Sequence, residues 1–321
     1  MNMYLDFAFS KLKYSYLKSK HSPIACILML HHVAYHDKES LKICESLKVS
    51  PEYLEGFLIN AKKRGYKFIS IDKLYDSLIR GIKLKKCFVL SIDDGYMDTF
   101  TTAYPILKSR DIPFVFYLAT SFPDKSAIAW WYIINQLIVN NTEIILDNGA
   151  ILPCGTIQQK ESAYITLSKI ILRLGNNFAN KLPLLFSNYN IDLYGRNETL
   201  FLGWDEVVEM TSSSICTIGS HTVGHFGLRF ENNINVMKEM VNCKIRINEK
   251  TGKEAKHLAF PYGTAYSVGR RESQLAKQAG YLSAATTYSS PIYMTHKNSI
   301  YSLPRMNFIE SRKYDEYFIL S

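Results

Sequence analysis

The stretch that most constrains this chain is Lys86-Cys87-Phe88-Val89-Leu90-Ser91-Ile92-Asp93-Asp94-Gly95. Cys87 to Ile92 is apolar except for Ser91, the pattern of a strand buried on both faces. It runs directly into two adjacent carboxylates and a glycine. A buried charge costs several kcal/mol unless it is paired or bound to a cation. Asp-Asp-Gly is also good turn chemistry, which explains Gly95 but not the apolar run leading into the pair. Neighbouring strand side chains point to opposite faces. Both carboxylates therefore serve one site only where the strand ends and the chain swings over the glycine. Strand carboxyl ends are where α/β folds carry such sites.

A second stretch has the same form. Ile215-Cys216-Thr217-Ile218-Gly219-Ser220 reads as a short buried strand and delivers His221-Thr222-Val223-Gly224-His225. Histidines four apart face one way on a helical turn, as metal-ligand pairs do, although such pairs also arise by chance. Together the two strand ends offer two imidazoles and a carboxylate, with a second carboxylate alongside. That is the form of a catalytic zinc site, with three protein ligands and one open position.

The same residues resemble a known family, the NodB-type polysaccharide deacetylases (carbohydrate esterase family 4). Ser91-Ile92-Asp93-Asp94-Gly95 matches the family's first motif and Ser220-His221-Thr222-Val223-Gly224-His225-Phe226-Gly227-Leu228 its second. Phe260-Pro261-Tyr262-Gly263 matches the core of the third. The resemblance covers residues 24 to 305 and implies an irregular, incomplete (β/α)7-8 barrel. It further implies that Asp94, His221 and His225 hold a divalent metal, zinc being the expected ion, and that Asp93 is the base. The Tyr262 backbone N–H would meet the developing oxyanion. The implied activity is removal of N-acetyl groups from sugars of a polysaccharide or of a lipid- or nucleotide-linked precursor. A carbohydrate-binding pseudoenzyme is one rival, opposed by the intact Asp93, Asp94, His221 and His225; an amidase on a non-sugar amide is another.

The match departs from the family in three places. The motif arginine two residues before Pro261 is replaced by Ala259, and Arg305, at another expected strand end, is the candidate to orient Asp93 instead. The pocket-wall tryptophan has no counterpart in Ala284-Ala285-Thr286-Thr287-Tyr288. The late leucine-x-x-histidine that supplies a general acid is also absent, and His296 lies in a polar loop. His31 is the candidate for that role. It ends the strand Ile24–Leu30 and matches the histidine of an M-Y-H-x-V opening, with His32 at the variable position. A strand-end histidine bonded to a loop carbonyl is its structural competitor.

Elsewhere strand and helix alternate, which predicts parallel βα units. Ser50-Pro51 starts a helix with Leu54, Phe57, Leu58 and Ala61 as its apolar stripe. The alternation lapses between 123 and 202, read as a helical insertion over the rim in a single barrel domain spanning 23–321. Trp130 and Trp131 in it suit a helix core or a sugar face. Strands are expected at 282–286 and 300–303, and the tail to Ser321 is expected to be peripheral.

A hydrophobic content of 47% among 321 residues supports a sizeable core. The net charge of +9 is spread along the chain, which argues for a generally basic surface and against a nucleic-acid partner. Residues 1–22 form an aromatic and basic amphipathic segment. Residues 1–20 suit a helix packed on the barrel or one lying peripherally on an anionic membrane. No secretory signal is evident, and the six dispersed cysteines read as reduced, so a cytoplasmic location is expected.

Overall fold

The computed structural model describes residues 22–320; the expectations for the N-terminal segment lie outside the described residues. Eight strands form the central sheet: β1 (Ala25–Leu30), β2 (Lys67–Phe68), β3 (Cys87–Asp94), β4 (Phe114–Leu118), β5 (Cys216–Ser220), β6 (His257–Ala259), β7 (Ser283–Ala285) and β8 (Met306–Asn307). All pair in parallel, in the order β7-β6-β5-β4-β3-β1-β8, with β2 beside the first residues of β3. Leu303 bridges Ala285 while Met306 pairs with Leu28, so the run 303–307 joins the two ends of the sheet. The sheet is thereby curled into an incomplete barrel.

Register aligns the strand ends. Asp94 lies opposite Leu118, Leu118 opposite Ser220, and Ser220 opposite Leu258. Leu30 pairs with Ile92, which sets His31 level with Asp93. One rim therefore collects the residues that follow every long strand. All residues of β1 and β3 are buried, because each strand packs on both faces. Val89, Val115, Tyr117 and Ala259 cluster on one face, and Phe88, Leu90, Phe116 and Leu118 lie in the larger core on the other.

The helices pack outside. α1 (Pro51–Lys63) is capped by Ser50, whose side chain accepts from the Tyr53 N–H, and it buries Leu54, Phe57, Leu58 and Ala61. α2 (Ile71–Arg80) ends on a left-handed Gly81. Between β4 and β5 come α3 (Trp130–Asn140), α4 (Ile157–Leu172) and shorter helices, with an apolar cluster that includes Ile134, Ile138, Leu167, Leu182 and Phe186. This segment is not purely helical, since Glu143–Ile145 and Ile151–Pro153 form an antiparallel hairpin. Its Asn148-Gly149 turn, with Gly149 at φ +80°, is the sequence signal for it. α5 (Trp204–Ser212), α6 (Asn233–Thr251) and α7 (Arg270–Gln278) complete the shell.

Two expectations need correction. Residues 300–303 are not a strand: Met294–Ser302 is a 3-10 segment and the strand is Met306–Asn307. The tail is not peripheral either. Phe308, Tyr317 and Leu320 are 1%, 0% and 3% exposed and join the main core. Tyr66 Oη donates to the Leu320 carbonyl at 2.9 Å, and the Phe57 ring packs edge-on against Tyr317. Short aromatic fragments without periodicity look like loose tail in sequence, yet here they seal α1 onto the barrel.

Candidate active site and metal centre

β3 delivers both carboxylates to one place through a backbone reversal. Asp94 has φ +78° and the Gly95 N–H donates to the Asp93 carbonyl at 3.2 Å, a γ-turn of the rare positive-φ kind. Gly95 follows at φ +133°, and a Cβ there would sit 2.9 Å from Leu118 Cδ1. The same device recurs across the rim. Tyr262 has φ +60° and the Gly263 N–H donates to the Pro261 carbonyl at 2.7 Å. Sparsely populated backbone of this kind is held only where the surroundings dictate it, most often at functional sites.

Asp94 Oδ1 lies 3.2 Å from His221 Nε2 and 3.2 Å from His225 Nε2. Ligand atoms of these three residues fall within 4.8 Å of one another. His221 Nδ1 bonds the Ala259 carbonyl at 2.8 Å, so it carries the proton there and Nε2 presents a lone pair. The two histidines do not share a helical turn, as their spacing suggested. Thr222 and His225 have φ +68° and +55°, so the segment is a loop that folds back on itself. Val223 N–H and Gly224 N–H donate to Glu239 Oε2 at 3.0 and 2.8 Å, pinning that loop between its two histidines to α6.

The residues fit a divalent cation. Asp94 Oδ1 is buried and makes no well-aligned hydrogen bond despite its two imidazole neighbours. Separations of this size suit bonds of about 2.0–2.2 Å to a shared centre. Burial pushes the Asp94 carboxyl up, but the adjacent His225 and His221 imidazoles more than offset it and hold it well below the usual carboxylate range. Burial lowers His225, with Asp94 opposing. The cluster thus favours an ionised carboxylate with a neutral imidazole at His225, the donor forms a metal takes.

Asp93 is held apart from this cluster. Its Oδ1 accepts from Arg305 Nη1 at 2.7 Å; the two side chains are 1% and 0% exposed. Arg305 also donates from Nε to the Thr286 carbonyl at 3.1 Å and from Nη1 to Ser91 Oγ at 3.2 Å. Burial pushes the Asp93 carboxyl up, and Arg305, then His221 and His31, prevail and hold it below its usual value. Arg305 thus reaches the carboxylate that an arginine at position 259 would serve, while the Ala259 carbonyl orients His221.

His31 follows β1, and its Nδ1 is buried without a hydrogen-bond partner among the described residues. Burial lowers its pKa, opposed by the charges of Asp94 and Asp93, so the ring lies within electrostatic reach of both. His32 is engaged elsewhere: Nδ1 bonds Asp98 Oδ2 at 2.6 Å and its ring lies 3.7 Å from that of Tyr96. His296 is spent on a capping contact, Nδ1 accepting from the Tyr293 N–H at 2.9 Å. Among the described residues the Tyr262 N–H meets no acceptor, and the Tyr262 ring lies 4.7 Å from that of His225. Two aromatic residues of α3 pack against the site. Trp130 Nε1 donates to Tyr262 Oη at 3.1 Å, and the Trp131 ring stands edge-on to His225 at 5.7 Å.

The polysaccharide deacetylase family model matches residues 80–284, more than half the chain and every residue of the metal cluster. The chain belongs to the polysaccharide deacetylase family. Solved structures agree in fold. The Streptococcus pyogenes deacetylase PplD, determined with acetate, is 19% identical and covers 92% of this chain and 96% of its own, with a TM-score of 0.61. IcaB from Ammonifex degensii is 14% identical over 93% of this chain and 97% of that one, TM-score 0.58. A de-N-acetylase from Aggregatibacter actinomycetemcomitans is 19% identical over 92% and 99%, TM-score 0.55. No curated protein matches by sequence at a significant level. In this polysaccharide deacetylase the residues missed by sequence reasoning are Glu239, Ser91 and the Thr286 carbonyl. Only Ser91 carried a signal, as the one polar residue in the run Cys87 to Ile92.

Proposed function

We propose that the chain is a metal-dependent hydrolase that removes N-acetyl groups from sugars of a polysaccharide or of its precursor. The observation that carries this reading is the Asp94-His221-His225 cluster with Asp93 beside it, fixed by Arg305. When bound, a divalent ion supplies Lewis acidity here, with zinc expected for two nitrogens and an oxygen.

The chain's own residues supply the rest. Asp93 takes a proton from the attacking water, and Arg305 keeps its carboxylate ionised and fixed in direction. The Tyr262 N–H donates to the acyl oxygen as charge develops there. His31 gives its proton to the amine nitrogen as the carbon–nitrogen bond breaks, since an amide anion leaves poorly. One proton is taken and one given, leaving acetate and a free amino sugar.

Acetate release from acetylated sugars, lipid- and nucleotide-linked precursors and simple amides tests the reading. Release from the sugar compounds is expected. Release from simple amides alone favours a non-sugar amidase, and glycan binding without release favours a carbohydrate-binding protein.

A further inference from the structure

Two loops leave the metal centre, 226–231 after His225 and 260–269 after β6, and they meet again at the end of α4. The Arg229 N–H donates to the Ser267 carbonyl at 2.9 Å, and its Nη1 donates to the Ala265 carbonyl. Arg173, directly after the last residue of α4, donates from Nε to Tyr266 Oη at 2.8 Å. Its guanidinium lies 5.8 Å from the centre of that ring, and the Phe230 ring lies 5.1 Å from it. Arg270 opens α7 directly after Gly269, where a Cβ would sit 3.8 Å from Arg229 Nη1. Three arginines are thereby gathered around Tyr266. Arg229 is four residues from His225, and Tyr266 is four from Tyr262. Each Cα is therefore within about 14 Å of its counterpart at the site.

Nothing in the protein balances these charges. Arg173, Arg229 and Arg270 are exposed, and none forms an ion pair among the described residues. The acidic residues of the same loops are engaged elsewhere. Glu272 is 1% exposed, pairs with the neighbouring Arg271 and accepts from the Gly269 N–H at 2.7 Å. Glu231 is 7% exposed and accepts from the Asn176 N–H at 2.6 Å and from Asn235 Nδ2 at 2.8 Å. A helix carboxyl end favours a cation and so accounts for Arg173. It does not account for Arg229 in a loop, and Arg270 sits in the first turn of α7, where the helix dipole disfavours a cation. Unpaired charges gathered in this way repel one another, and a bound anion reverses that cost. A local rule broken without compensation marks a functional position more often than a structural one.

We propose that Arg173, Arg229 and Arg270 bind a phosphoryl group carried by the substrate, which is then a diphosphate-linked sugar and not a finished polysaccharide. The proposal rests on the deacetylase reading above and selects the precursor within it. Planar guanidinium forks match phosphate oxygens two at a time. A phosphoryl group offers three strong acceptor oxygens around one centre and so engages more than one fork, which a single carboxylate does less well. A neutral glycan would leave all three charges unused. The carrier on the far side of the diphosphate is a nucleoside or a lipid, and the test separates the two.

Calorimetry on the full-length chain, in an Asp93→Asn background that prevents turnover, tests it with three probes. These are uridine-diphosphate N-acetylglucosamine, a prenyl-diphosphate-linked N-acetylglucosamine and the uncharged methyl N-acetylglucosaminide. One diphosphate probe at least should bind about 10- to 100-fold more tightly than the methyl glycoside, and added salt should narrow that ratio. The tighter of the two identifies the carrier. Arg229→Gln together with Arg270→Gln should reduce the ratio by about 10-fold or more. Arg270 makes no side-chain hydrogen bond among the described residues and is exposed, so Arg270→Gln alone is read without risk to the fold and should reduce the ratio about 3- to 10-fold. Equal affinity for charged and uncharged probes, or a ratio that survives these substitutions, overturns the proposal. Acetate release by the unsubstituted protein is read separately. Arginine-dependent binding of a diphosphate probe without release from any probe keeps the anion site and removes the deacetylase reading. Release from the methyl glycoside with no preference for a diphosphate does the reverse.

Discussion

Arg305 Nη1 donates to Asp93 Oδ1 at 2.7 Å across a sequence separation of 212 residues, and neither side chain reaches solvent. A buried carboxylate with one fixed partner is directed as well as charged. Because the folded pKa of Asp93 is depressed, the pair's contribution to stability is present above the unfolded value of about 3.9. It is lost as pH falls through the folded value.

Arg305→Met removes that partner. The Asp93 carboxyl should titrate higher, so the acid limb of kcat/KM moves to higher pH, and kcat falls while metal content is kept. Breaking one side of a buried pair costs about 3–5 kcal/mol, so Arg305→Lys provides the folded control and should lie between the two. A pH profile unchanged in both variants would remove Arg305 from the account.

Asp93→Asn keeps the shape of the side chain but cannot accept the water's proton. Turnover should fall by about 10²–10⁴-fold, with metal content as in the unsubstituted protein. Loss of the metal would mean that the roles of Asp93 and Asp94 are reversed.

His31→Ala tests the proton donor. Amide hydrolysis should drop by about 10²–10⁴-fold, and activated esters should suffer less because their leaving groups need no proton. Equal losses on both substrates would pass the role to another residue.

Glu239 touches no reacting atom, so its effect should appear in metal binding. Glu239→Ala leaves the Val223 and Gly224 N–H groups without their acceptor, freeing the loop between His221 and His225. Metal affinity, followed by cobalt titration of the ligand-field bands, should weaken about 10- to 100-fold, as for other residues that orient ligands. Glu239→Gln, which retains an accepting oxygen, should recover part of it. Identical cobalt affinity in all three proteins would reduce Glu239 to a packing role.

The strands and the rim were legible because β1 and β3 are largely apolar runs that end abruptly in chemistry-bearing residues, and the short β5 leads into the two histidines in the same way. Position along the rim then follows from parallel register. The loop between His221 and His225 was not legible. A spacing of four is what a helix also produces, and only a backbone with positive φ at Thr222 and His225 distinguishes the two. Glu239 was hidden as one more acidic residue on an amphipathic helix, since nothing local marks a side chain that serves a distant loop. Arg305 was found by asking which cation fills the role vacated at Ala259. The buried tail was missed because Phe308, Tyr317 and Leu320 reach the core through irregular backbone, where periodicity says nothing.

The metal content of protein purified without chelator, compared with that of His221→Ala, tests the central claim most directly. Near-stoichiometric divalent metal, with zinc foremost, is predicted for the unsubstituted chain, and its loss is predicted in the variant. A chain that carries no metal yet releases acetate, or a His221→Ala protein that keeps its metal in full, would contradict the account.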